Sequence, residues 1–238
     1  MPRAKNTFFC FSPPVMVATF LLEIALAAYV VWRYKLNPVT RLVALTLGFL
    51  AVFQAAEFMV CRGAPGHAMV WSRIGFVAIT MLPPLGLHLA YMLAGVRRRW
   101  LVLPAYATAA GFILFFWVIG NKINGDACLG NYVIFQLKPH AGLYYGIYYY
   151  GWLLAVVGLC WYLAGRTKKR QVRRALFGLL AGYAAFILPT ATVNILSPDT
   201  TRGIPSIMCG FAVLLALALA FVVVPATVKR QKVKRKRA

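Results

Sequence analysis

Seven apolar stretches divide this chain, and each approaches or exceeds the ~20 residues that a helix needs to cross a bilayer. They cover residues 15–32, 42–60, 69–92, 100–119, 144–164, 175–195 and 205–226. Backbone groups in hydrocarbon must bond within their own segment, so such stretches fold as helices. Hydrophobic residues make up 62% of the chain and its mean hydropathy is +0.74. The sequence therefore predicts an all-α, polytopic membrane protein, a seven-transmembrane helix bundle.

Positive charge alternates between the two sides of these stretches. Nineteen of the 26 Lys and Arg residues fall in the loops after the first, third and fifth stretches and in the tail. By the positive-inside rule this side is cytoplasmic, which places the N-terminus on the outer side of the membrane. The chain is therefore predicted to be a multi-pass protein of the cytoplasmic membrane. We expect an extracytoplasmic segment over residues 1–14, a seven-transmembrane helical domain over 15–226 and a basic cytoplasmic tail over 227–238.

The longest outer loop, residues 121–143, carries turn formers at Asn124-Gly125 and Gly130-Asn131 around an apolar YVIF segment. This pattern predicts either a short hairpin or an interfacial lid.

The formal net charge of +22 lies in short loops and a tail at the membrane surface. That location indicates topology and contact with the lipid bilayer, and it argues against nucleic-acid binding. Seven bases between Lys229 and Arg237 predict contact with anionic lipids, and they could also dock an acidic partner.

Ionisable residues at membrane depth are costly and therefore mark candidate ligand-binding positions. Glu23 lies near the midplane of the first helix. A short turn makes helices two and three antiparallel neighbours, so Glu57 and Arg73 should meet and pair, either as a structural clamp or as the polar floor of a ligand pocket. Glu23 is expected to be protonated, to bond Gln54 or Asn194, or to be compensated by a bound cation or ligand amine.

Pro83, Pro84 and Pro189 lie inside apolar stretches and predict kinks that act either as hinges or simply as shape. His88 is expected to be a hydrogen-bonded interior residue, with proton sensing as the alternative. The cluster YYGIYYYGW, residues 144–152, is typical of an interfacial aromatic belt, although its hydroxyls could instead line an outward-facing cavity.

Cys61 and Cys128 face the same predicted compartment and form a possible disulfide, with Cys10 as a competing partner. The cysteines are too scattered to predict a metal site. HExxH, GxSxG and phosphate-binding glycine motifs are absent, so we expect neither an enzyme nor a bound cofactor.

The segment AAEFMVCRGAPGHAMVWSRIGFVAITMLPPLGLHLAYMLAG resembles the helix two to helix three region of the seven-helix sensor at the N-terminus of many bacterial histidine kinases. The shared features are Glu57, Trp71-x-Arg73 and Pro83-Pro84. Residues 173–221 are similar to the C-terminal half of that module, with a Gly- and Pro-containing helix six and a Pro-started helix seven.

The resemblance implies a membrane receptor that detects an extracytoplasmic small ligand or membrane signal. It would pass a helix movement to a cytoplasmic output, and we expect that output to be a separate kinase or other effector. The alternative is a small membrane transporter, or an assembly or scaffold protein. A transporter predicts flux in proteoliposomes, a sensor predicts binding without flux, and a scaffold predicts only a stable partner.

Overall fold

The computed structural model describes residues 13–62, 68–96, 99–118, 123–129, 132–137, 139–196 and 204–227. These residues form seven α-helices and one two-stranded hairpin. The helices are α1 (Pro13–Arg33), α2 (Pro38–Arg62), α3 (Ala68–Ala94), α4 (Val102–Val118), α5 (Pro139–Arg166), α6 (Arg170–Leu196) and α7 (Ile204–Ala218). A five-residue π-helix, Leu219–Val223, continues α7.

Six of the helices among the described residues are long and apolar enough to cross a membrane. The protein is therefore a multi-pass membrane protein, as predicted. Helix α4 has 17 residues and falls below that length. The seven-span count and the orientation of the termini stay predictions.

Local sequence explains where α2 begins. The side-chain Oδ1 of Asn37 accepts a hydrogen bond from the Thr40 backbone N–H at 2.9 Å. In return, Thr40 Oγ1 accepts one from the Asn37 N–H at 2.7 Å. This reciprocal cap satisfies two backbone donors, and Pro38 at the first helical position lacks the N–H that would otherwise need a partner. The tight turn after α1 places α1 and α2 side by side and antiparallel.

Helix α3 is the centre of the bundle. It packs against α2, α4, α5 and α6, and most of its membrane-spanning residues are buried. Helix α7 packs on α6 and returns to contact α1 and α2, which closes the helices around α3. The main contacts of α4 are with α3 and α5 alone, so it lies at the edge of the bundle.

The hairpin lies in the predicted outer loop. Strand β1 (Ile123–Leu129) pairs antiparallel with β2 (Tyr132–Leu137), and Leu129 opposite Tyr132 is the last pair of the ladder. The strands contact α2, α3, α5 and α7, so the hairpin rests on one end of the bundle. The prediction of a hairpin is confirmed, and the predicted all-α class holds for the helical body.

Two glycines one turn apart let α6 approach α7 closely. A Cβ on Gly178 would lie 2.7 Å from Val222 Cγ1, and one on Gly182 would lie 2.7 Å from Leu215 Cδ1 and 3.2 Å from the Leu215 Cα. Membrane helices associate through such small residues because lipid provides no hydrophobic force to drive them together. The contact lies beside the π-helix, where the Val224 N–H bonds to the Leu219 carbonyl.

Candidate functional site

Two buried glutamates lie on neighbouring helices. Glu23 lies at the midpoint of α1 and is 0% exposed, and Glu57 lies near the end of α2 and is 2% exposed. The two helices that carry them pack against each other. Gln54, also buried, precedes Glu57 by one turn of α2. The chain has only four Asp and Glu residues, so half of its acidic groups lie in this region.

Glu23 is the unusual member of this group. Both of its carboxyl oxygens are buried, and neither has a hydrogen-bond partner within the described part of the chain. An ionised carboxylate there would be an uncompensated charge in a low-dielectric interior, which costs several kcal/mol or more. The position therefore suits a carboxyl group that holds a proton or meets a cation.

Glu57 lies near the end of α2 and Arg73 near the start of α3, and these two segments pack together. Gly75 faces Ala56 and Phe53, since a Cβ on Gly75 would lie 3.5 Å from both side chains. Arg73 is half-buried, and its Nε is a buried atom without a hydrogen-bond partner in the described residues. Ser72 beside it is fully buried. The ion pair between Glu57 and Arg73 stays a prediction.

The proline pair interrupts the hydrogen bonding of α3 without ending the helix. Both prolines are buried, and α3 continues to Ala94. Pro84 has no N–H, so the Thr80 carbonyl loses the donor that it would have in a regular helix. The hydroxyl of Tyr148, from α5, donates to this carbonyl at 2.7 Å. The hydroxyl oxygens of Thr80 and Tyr145 are 3.0 Å apart, which adds a second polar contact between the two helices.

A third tyrosine reaches the same segment from α6. The Tyr183 hydroxyl donates to the Leu82 carbonyl at 3.2 Å and lies directly against Gly86, so that any Cβ there would overlap it. Tyrosines of α5 and α6 thus bond, from two sides, to the part of α3 around Pro83 and Pro84, which we call the proline segment. This network was missed from the sequence, where the tyrosines of α5 were interpreted as an interfacial belt or as the lining of an outward-facing cavity and Tyr183 was not singled out.

The structure divides that tyrosine cluster between two environments. Tyr145, Tyr148 and Tyr149 are buried, whereas Tyr144 is 66% exposed. Positions 145, 148 and 149 follow helical spacing and therefore share one face of α5, which was a readable signal. The buried face packs on aromatic rings of α3 and α4, with Phe112 and Tyr148 centroids 4.8 Å apart.

The other predicted site residues are dispersed. Pro189 lies inside α6, and one residue later Thr190 bonds back to the Phe186 carbonyl at 2.7 Å. The side chain of Asn194 lies outside the described residues. His88 is half-buried, and its Nδ1 has only a long 3.5 Å contact with the Tyr106 hydroxyl. Whether the three prolines act as hinges stays a prediction.

The two cysteines with described side chains differ in their bonding state. Cys61 is disulfide-bonded, and Cys160 is a buried free thiol. Strand β1, which carries Cys128, contacts α2, which carries Cys61, so the fold brings the two backbones near each other. The specific pairing of Cys61 with Cys128 stays a prediction. Among the described residues no group of three or more His, Cys, Asp or Glu could hold a metal ion.

Comparison with known proteins adds no relative. No protein-family model matches this chain, and a search of curated proteins finds no match either. The fold and the buried polar groups thus define a multi-pass helical membrane protein.

Proposed function

We propose that this protein is a non-enzymatic membrane sensor with seven transmembrane helices in the cytoplasmic membrane, its N-terminus outside. It would detect an extracytoplasmic small ligand or membrane signal and relay it to a separate cytoplasmic partner. The observation that carries the proposal is the buried Glu23 carboxyl, which has no hydrogen-bond donor within the described residues and lies on a helix packed against the one that carries a second buried glutamate. Intramembrane ionisable groups are retained at a cost and are functional candidates by default.

The signal would act by neutralising the negative charge of the Glu23 carboxylate. A proton or a ligand amine that reaches Glu23 and Glu57 would remove the repulsion between their carboxylates. The arrangement of α1 and α2 that binds this proton or amine would then be stabilised. Arg73, Gln54 and Asn194 would complete the polar surroundings of the ligand. Because α2 packs directly on α3, a shift of α2 reaches the proline segment.

The proline segment would carry the movement onward. Its hydrogen bonds to Tyr148 and Tyr183 tie α3 to α5 and α6, and α6 contacts the π-helix after α7. π-helices within α-helices are frequently found at functional sites. Movement would then leave through the end of α7 and the basic tail, which would contact anionic lipids and dock a separate kinase or other effector.

A transporter of protons or cations is the second candidate, because the same uncompensated carboxyl would suit a transport site. The two functions differ in whether the ligand crosses the membrane. The first test is therefore to purify the full chain from its native membrane after brief crosslinking and to identify its partners by mass spectrometry. The sensor predicts a kinase, cyclase or regulator whose yield changes in Glu23→Gln.

Thr19→Val is the matched control variant. Thr19 is a half-buried residue on the same helix, one turn before Glu23, and its hydroxyl bonds only to the Val15 and Met16 carbonyls of its own helix. The control should leave the partner yield unchanged. Recovery of the protein alone, together with proton flux into proteoliposomes that Glu23→Gln abolishes, would replace the sensor with a transporter. Recovery only with envelope-assembly components would favour a scaffold.

A further inference from the structure

A cavity of about 510 Å³ lies where α6 begins and the helix after α7 ends. Its volume is within the range of small-molecule binding sites in proteins. Three arginines, Arg170, Arg173 and Arg174, line it together with apolar side chains from both helices. The two membrane-capable segments that form it are Arg170–Thr192 and Gly210–Thr227, so the cavity lies where both leave the apolar layer.

The arginines form one continuous stripe with an aromatic residue. Positions 170, 173, 174 and 177 are spaced i, i+3, i+4 and i+7, so Phe177 continues the charged face of α6 into the apolar layer. Phe221 and Val222 provide the opposite wall. Phe177 is 43% exposed and Phe221 is 53% exposed, so both rings offer apolar area beside the guanidinium groups.

We propose that this cavity binds an anionic phospholipid, with the phosphate between Arg170, Arg173 and Arg174 and an acyl chain along Phe177 and Phe221. Guanidinium groups bind phosphate through paired, charge-assisted hydrogen bonds. The backbone N–H groups of the first turn of α6 add partial positive charge at the same place.

The charge of the lining also argues against occupation of the cavity by another segment of this chain. Among the described residues that line the cavity none is acidic. The residues after Thr227 read VKRQKVKRKRA, so the tail that follows the cavity is basic and would be repelled by the arginines. A ligand with a negative head and an apolar body matches both parts of the lining, which a soluble anion does not.

The test compares lipid binding by two charge-matched double variants of the full chain. Arg173→Gln/Arg174→Gln removes two charges from the cavity lining. Lys168→Gln/Lys169→Gln removes two exposed charges in the preceding loop, at the same membrane surface but outside the cavity. Native mass spectrometry of delipidated protein titrated with phosphatidylglycerol or phosphatidylcholine gives the Kd of each lipid. Thermal unfolding without lipid checks that both variants remain folded.

The wild-type protein should bind phosphatidylglycerol at least tenfold more tightly than phosphatidylcholine. Each basic group that contacts the bound headgroup should contribute about a fivefold gain in affinity, so the cavity variant should lose about 25-fold. Lys168 and Lys169 do not line the cavity, and salt screens their longer-range attraction, so the loop variant should lose less than threefold. Arg173→Lys/Arg174→Lys should recover part of the affinity, because it keeps the charge and loses the paired hydrogen bonds.

Several results would overturn the proposal. Equal losses in the two double variants would mean that the surface attracts lipid only by its general charge. Equal binding of the two lipids would remove the role of the headgroup. Complete displacement of phosphatidylglycerol by millimolar glycerol phosphate would assign the cavity to a soluble anion, and an acidic protein segment crosslinked to Arg173→Cys in membranes would assign it to a protein partner.

Discussion

Removal of the Tyr148 hydroxyl should expose the cost of the proline interruption in α3. In Tyr148→Phe the ring keeps its packing against Phe112, and only the 2.7 Å hydrogen bond to the Thr80 carbonyl is lost. Because Pro84 lacks an N–H, this carbonyl has no replacement donor in its own helix. It would be left as an unsatisfied acceptor inside the bundle.

The expected loss follows from these contacts. An unsatisfied buried acceptor costs about 1–3 kcal/mol, while interhelical hydrogen bonds measured in a membrane protein range up to about 1.7 kcal/mol and average about 0.6 kcal/mol. Thr80 is fully buried and Tyr148 nearly so, which favours a value near the overlap of these ranges. We therefore expect Tyr148→Phe to lower the free energy of unfolding by about 1–1.5 kcal/mol.

A double-mutant cycle isolates the role of the proline. In Pro84→Ala the new backbone N–H can donate to the Thr80 carbonyl, as in a regular helix. In that background Tyr148→Phe should cost less than about 0.5 kcal/mol, which leaves a coupling of about 1 kcal/mol between the two positions. The sign of the Pro84→Ala change by itself does not affect this difference.

The assay is reversible unfolding of the purified protein in mixed micelles, followed by circular dichroism. Tyr144→Phe is the control, because Tyr144 is an exposed tyrosine on the same helix and its loss should be within ~0.5 kcal/mol of zero. Equal losses for Tyr148→Phe with and without Pro84 would refute the reasoning. The Tyr148 hydroxyl would then stabilise the bundle in some way unrelated to the missing donor.

Three further outcomes are expected. Gly182→Ala should lower the free energy of unfolding by about 1–3 kcal/mol in the same assay, because the new methyl group meets the Leu215 backbone, whereas Gly111→Ala, which has open space, should be neutral or slightly stabilising. Peptide mapping without reductant should recover Cys61 linked to Cys128, and a link to Cys10 would contradict this. Single cysteines in the hairpin and in the α5–α6 loop should be labelled from opposite sides of sealed vesicles, and labelling from one side would contradict seven spans.

Helix positions were largely predictable from the sequence. The apolar stretches match the helices to within a few residues, because length and hydropathy decide which segments can enter hydrocarbon. The hairpin was readable as one of two alternatives from its turn residues, since Gly130-Asn131 lies between the strands. Glu23 and Glu57 were identified as candidate site residues only because burying an acidic group in the membrane costs free energy and is therefore rare.

The faces of the helices were much harder to predict. In a soluble protein the polar face of a helix identifies its exposed side, but in lipid both the packed and the exposed faces are apolar. For this reason the sequence favoured an interfacial belt for the tyrosines of α5, whereas three of them are buried inside the bundle. The Gly178 and Gly182 pair was a readable small-residue signal that was overlooked.

The sequence by itself determined that this is a helical membrane protein, where its apolar helices lie and which few residues are costly to bury. Only the tertiary structure decided that the Glu23 carboxyl is buried with no hydrogen-bond donor among the described residues, that Tyr148 and Tyr183 bond the proline segment of α3, and that three arginines line a cavity with Phe221. The physical reason is the distance along the chain over which each kind of interaction acts. Hydropathy and turn chemistry act within a segment, whereas these contacts join residues of different helices whose pairing depends on how the whole bundle packs.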